Sequence, residues 1–225
     1  MNVPFTTEEF FEILKTYNIG VYPMQWVLLG LALVALGLQL ARNGWKDRSI
    51  SLILAFFWAW MAIAYHLKYF VYINPAARIF GALFLIEAAL LLWKGVTGGK
   101  LRFGYPGGAR FYTSMILILY ALVVYPFLGR LFGHEFPASP TFGLPCPTTI
   151  FTVGILFLLR KPFPRLVLIV PIIWSAIGSM AAFRFGVYED LGLLAAGIAA
   201  VVLLLVPQKH EDVVGIEQER DDNDQ

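Results

Sequence analysis

Long apolar runs recur along the chain, separated by short segments rich in basic residues, glycine and proline. Seven runs approach the roughly 20 residues that a helix needs to cross a hydrocarbon layer about 30 Å thick. They lie at 22–41, 49–69, 76–93, 112–128, 147–159, 166–184 and 191–206. Segments this apolar can lie in lipid as helices, which satisfy their own backbone. The pattern therefore predicts an all-α integral membrane protein, a bundle of about seven transmembrane helices. The fifth run is short. It has to sit in thinned lipid, begin as extended backbone buried among its neighbours, or run on through Arg160 with its basic end snorkelling.

Ahead of the first run, Thr6 and Glu9 have the spacing of a capping box, and Phe10, Ile13, Leu14 and Tyr17 follow at helical intervals. Such a helix is too short to span and is expected to lie flat at the interface. The expected organisation is an interfacial amphipathic helix over 1–20, a seven-helix bundle over 21–207 and an acidic tail over 208–225.

Composition agrees with a lipid environment: 59% of the 225 residues are hydrophobic and 14% charged, with a mean hydropathy of +0.71. Orientation follows from the basic residues. Twelve of the seventeen lie in alternate loops and after the last run, among them Arg42, Lys46, Lys100, Arg102, Arg160 and Lys161. The positive-inside rule then sets the N-terminus outside and the C-terminus in the cytoplasm. Seven of the fifteen acids fall in the last eighteen residues, which read as a solvated, disordered tail able to dock a partner protein. Without it the bundle is net positive, so anionic headgroups at the cytoplasmic face are expected partners. Nucleic acid is not expected, because the bases flank spans and form no single patch. The N-terminus lacks the basic start of a cleaved signal, so the first span is expected to stay in the mature protein.

Candidate chemistry gathers toward the predicted outer face. His66 falls near the outer end of the second run and Asn74 just beyond it, while Glu87 is the deepest charge, within the third. An ionisable group inside a span is costly and marks a candidate binding or proton-relay site; the alternative is a neutral side chain bonded to a neighbouring helix. Between the fourth and fifth runs, residues 133–149 carry four prolines among aromatic and apolar residues, so this loop is expected to fold down onto the bundle. Pro147 suits the first turn of a helix, which puts Cys146, the one cysteine, at its N-terminus, where a thiolate is favoured. His66, His134 and Cys146 could then bind a soft or borderline metal ion such as copper, zinc or mercury, although no two of them have a recognised ligand spacing. Glu135 could complete a histidine–carboxylate pair, and Arg184, Glu189 and Asp190 could form an ion-pair cluster at the outer turn before the last run. The common hydrolase, nucleotide-binding and zinc signatures are absent, which speaks against an enzyme, and the last run has no lysine for a retinal Schiff base.

The words Tyr65-His66, Ile73-Asn74-Pro75-Ala76, Gly133-His134 and Phe142-Gly143-Leu144-Pro145-Cys146-Pro147-Thr148, followed by Ile150-Phe151-Thr152, carry a resemblance. Together they resemble a bacterial family of multi-pass membrane proteins known only as a domain of unknown function, over most of the bundle. The resemblance implies an inner-membrane location and supplies no activity. Two functions are open. One is binding or transport of a small solute or metal ion from the outer face, with Glu87 coupling to protons. The other is a non-catalytic accessory or assembly subunit, docking a partner through the outer loop or the acidic tail.

Overall fold

Lipid-compatible helices account for almost every apolar run. A computed structural model describes residues 4–41 and 43–207; Arg42 and the acidic tail over 208–225, with the docking role expected of it, lie outside the described residues. The fold is all-helical, with no strand among the described residues. Eight helices follow in order: α1 Thr7–Gly20, α2 Met24–Gln39, α3 Lys46–Tyr72, α4 Ala77–Thr97, α5 Gly108–Leu131, α6 Pro145–Leu156, α7 Arg165–Phe185 and α8 Tyr188–Leu205.

Five of these helices, α3, α4, α5, α7 and α8, are long and apolar enough to cross a membrane. A sixth span results if α1 and α2, bent by 81° to each other, count as one. The shortest helix, α6, rises only about 18 Å at 1.5 Å per residue. Its shortness is tolerated because it is the core of the bundle: every residue from Pro145 to Leu156 is buried except the half-buried Cys146. Irregular backbone at either end of α6 is likewise enclosed by protein, the condition under which such backbone survives at membrane depth.

Small and hydroxyl-bearing side chains let the helices close on α6. A Cβ added to Gly154 would lie 2.8 Å from Ile118 Cγ1 and 3.2 Å from the Ile118 backbone nitrogen, so α5 can approach only a glycine here. Ser114 Oγ on α5 donates to the Gly154 carbonyl at 2.7 Å, and Trp58 Nε1 on α3 donates to Thr152 Oγ1 at 3.2 Å. Outward faces carry the opposite character. Trp26, Ile63, Ile79, Ile116, Phe127 and Leu205 are each more than half exposed.

The two ends of the bundle differ. At one end the loops before α5 and after α6 pair through an isolated bridge between Phe103 and Leu159, with Gly104 N donating to Leu158 O and Arg160 N to Arg102 O. Asp47 Oδ1 accepts from Phe103 N at 2.9 Å, and Lys161 and Arg165 donate to the carbonyls of Pro207 and Val206. The basic connections thus gather together.

The other end is capped by α1 and the proline-rich loop. The Thr6–Glu9 capping box is present, and α1 buries Phe10, Leu14, Tyr17 and Asn18 against the bundle. Asn18 holds the loop down: its amide donates to Pro137 O at 2.7 Å and Ser139 O at 2.8 Å, and its Oδ1 accepts from Thr141 Oγ1 at 2.7 Å. The loop folds onto the bundle as its composition suggests. Helix α1 is more than a surface float, since it covers part of the bundle's interior.

Candidate functional site

Proline decides the local geometry of α5. Pro126 lacks an N–H and crowds the carbonyl four residues back, and the helix responds with a widened π turn over Tyr120–Val124. Residues five apart point about 140° away from each other on a regular α-helix. A π turn brings them toward one face, and Tyr120 and Tyr125 stand with ring centroids 6.3 Å apart. Both reach the turn that opens α8. Tyr120 Oη donates to the Glu189 carbonyl at 2.7 Å, and Tyr125 Oη donates to Asp190 Oδ1 at 2.5 Å.

Asp190 is therefore buried but not alone. The Cys146 thiol, in the first turn of α6, faces the same carboxyl, and the Tyr65 ring lies within electrostatic reach of both. An acidic side chain is thus the immediate neighbour of the sulfur. The indole N–H of Trp174 approaches the sulfur. These groups line a cavity of about 290 Å³, walled largely by apolar side chains, several of them aromatic. Phe5, Phe10 and Leu14 cover it from the α1 side. Phe185 stacks on Phe10 at 4.8 Å and on Phe5 at 5.3 Å, fastening that cover to the end of α7.

A second cavity, of about 470 Å³, lies between α2 and α5 under the proline-rich loop. Tyr125, Pro140 and Pro147 line both cavities, so one thin wall separates them.

The residues singled out in the sequence divide between these places. Asn74, Cys146, Arg184 and Asp190 all line the first cavity. Within that set Asn74 also has a local task, its Oδ1 accepting from Ala76 N at 3.1 Å ahead of α4. Arg184 is exposed and sits at the rim. His134 lines the second cavity and pairs through Nδ1 with Glu189 Oε1 at 2.9 Å. The histidine–carboxylate pair therefore exists, with Glu189 as its acid. Glu135 is exposed and does not take that role. At the turn that opens α8, Glu189 goes to His134 and Asp190 to Tyr125.

The metal triad is not assembled. Among the described residues no three His, Cys, Asp or Glu side chains come together to hold an ion. The reason is visible at each ligand. His134 is turned to Glu189 and Cys146 to Asp190, while His66 is enclosed by rings. Tyr65, Phe70, Phe80, Phe84 and Trp174 surround its imidazole edge-on, with centroids between 4.6 and 6.0 Å, and neither ring nitrogen has a hydrogen-bond partner. Glu87 is also fully buried, both oxygens lack a partner, and it lines neither cavity.

Sequence reasoning passed over Tyr125 and Trp174 as site residues. Tyr125 carried one usable signal, its place immediately before a proline inside an apolar run, where a helix must deform. Trp174 carried none, because an indole in an apolar helix is ordinarily packing.

A family model described as a family of unknown function (DUF6064) matches residues 7–213, taking in every helix of the bundle, the second cavity and all of the first but its Pro4 and Phe5 lining. No curated protein and no solved structure matches the chain.

Proposed function

The chain belongs to DUF6064, a family of unknown function, and we propose that it is a multi-pass membrane protein that binds a small, largely apolar solute at its outer end. The observation that carries this reading is the first cavity, an apolar chamber with the Asp190, Tyr125 and Cys146 cluster in its wall. Its volume is near the lower bound of ordinary small-molecule pockets, and a few convergent polar groups in an apolar lining are what orient a ligand. Trp174 brings an indole N–H into its wall beside the Cys146 sulfur. Recognition of this kind suits the first step of solute transport.

The proposed topology has seven crossings, with α2 and the protein-encased α6 as short ones and α1 lying across the outer surface. Support comes from the gathering of the basic connections around Phe103, Leu159 and Arg160 at the end opposite α1. By the positive-inside rule that end faces the cytoplasm, and in a bacterium this is an inner-membrane arrangement.

Cys146, the chain's one cysteine, gives a direct test. The purified protein in lipid nanodiscs should react with N-ethylmaleimide, a small neutral probe, and Ala181→Trp, which fills the cavity from α7, should slow the reaction at least tenfold. Mass spectrometry of what co-purifies should find a small molecule held by wild type and lost from Ala181→Trp. Identical small-molecule contents in the two proteins would overturn the reading.

A further inference from the structure

The second cavity differs from the first in where it opens and in what lines each part of it. It is a cleft between α2 and α5, flanked on its outer side by Tyr22 and Trp26, which are 63% and 66% exposed. Exposed tyrosine and tryptophan at one level of a transmembrane helix mark the boundary between hydrocarbon and headgroups. Inward of that level the cleft is walled by Leu29, Ala121 and Leu122. At the level itself its lining turns polar, with Arg130, His134, Ser139 and Thr141. Arg130 makes no ion pair among the described residues. Gln25 adds an independent sign of a missing partner. It is nine-tenths buried in the wall, its amide nitrogen is spent on Asn18, and its Oε1 has no hydrogen bond.

We infer that this cleft binds one phospholipid of the outer leaflet, with the phosphate at Arg130 and an acyl chain against Leu29 and Leu122. A planar guanidinium matches phosphate oxygens two at a time, and the hydroxyls of Ser139 and Thr141 and the Gln25 carbonyl suit the glycerol and headgroup donors and acceptors around it. The apolar floor excludes a free anion as the natural occupant, and the cationic, hydroxyl-lined upper part is unlike the face of a helix–helix contact. The lipid lies against the far side of the Tyr125 wall, next to the first cavity but outside it. The assignment is independent of what the first cavity holds.

The test uses the full chain, delipidated in mild detergent and followed by native mass spectrometry. Added phosphatidylglycerol should bind one per chain, and Arg130→Gln should weaken that binding about tenfold, with Arg130→Lys in between. Leu29→Trp, which occupies the acyl position, should weaken it similarly. Arg130 is exposed, so its variants should keep the wild-type unfolding temperature in lipid-free detergent, which separates lost binding from lost folding. Diacylglycerol, which lacks the phosphate, should bind at least tenfold more weakly, and millimolar inorganic phosphate should not displace the lipid. Wild-type lipid binding by both Arg130→Gln and Leu29→Trp would overturn the inference. So would displacement by inorganic phosphate, which would make the cleft an anion site, or a second copy of the chain appearing in place of lipid.

Discussion

Glu87 and His66 are buried with no hydrogen-bond partner on any side-chain nitrogen or oxygen, and His66 is enclosed by aromatic rings. An unsatisfied buried polar group costs about 1–3 kcal/mol, so replacement by an apolar side chain of similar size should help the fold. Glu87→Met is therefore expected to raise the unfolding temperature in detergent; a fall would mean that the carboxyl has a working partner. His134 and Glu189 behave in the opposite way. Removing the imidazole by His134→Ala leaves a fully buried carboxyl without its hydrogen bond and should cost about 1–3 kcal/mol. Glu189→Gln keeps an oxygen for the histidine to meet and should cost less. Equal losses in the two variants, measured by chemical unfolding, would remove the pair from the account. The histidines, the cysteine and the acids were all visible as candidates in the sequence. Their partners were not, because a hydrogen bond between residues 55 apart depends on how α5 and α8 meet.

At the scale of elements, the short α6 and its two irregular flanks determine how everything else is arranged. The chain buries α6 on all sides, so its neighbours must offer small or hydroxyl-bearing contacts. Gly154→Val would push a branched side chain into Ile118 and should destabilise by about 1–3 kcal/mol, the usual cost of overpacking. Retention of wild-type stability would show that α5 is free to move away. The cover at the α1 end is held by one residue more than any other among the described residues. Asn18→Ala removes the bonds to Pro137, Ser139 and Thr141, and proteolysis within 137–141 should become markedly faster, with Cys146 more reactive toward N-ethylmaleimide. Unchanged cleavage would assign the loop another anchor. The capping box of α1 and the start of α6 near Pro147 were legible, since both rest on residues within one helical turn. The π turn in α5 was not, because the deformation that Pro126 demands can be absorbed in several ways and the tyrosine contacts with the α8 turn select one.

For the whole molecule, large apolar side chains cover the outward faces, while several serines, threonines and acids are buried beside the hydrophobic core, a surface unlike that of a water-soluble protein. The proposed orientation is checked by reporter fusions. A fusion within 98–107 should report the cytoplasm and one within 133–139 the outer side, and reversed signals would invert the topology. By itself the sequence determined that the protein is helical, that it suits lipid, and which family it belongs to. It also placed the candidate residues toward one end. These properties follow from local hydropathy, spacing and helix-end chemistry, which the chain carries residue by residue. Only the tertiary structure decided that α6 is the encased centre, that Glu189 and not Glu135 meets His134, and that His66, His134 and Cys146 stay apart. Those outcomes depend on which faces of distant helices pack together, and a run that is apolar on every side does not specify its own facing direction.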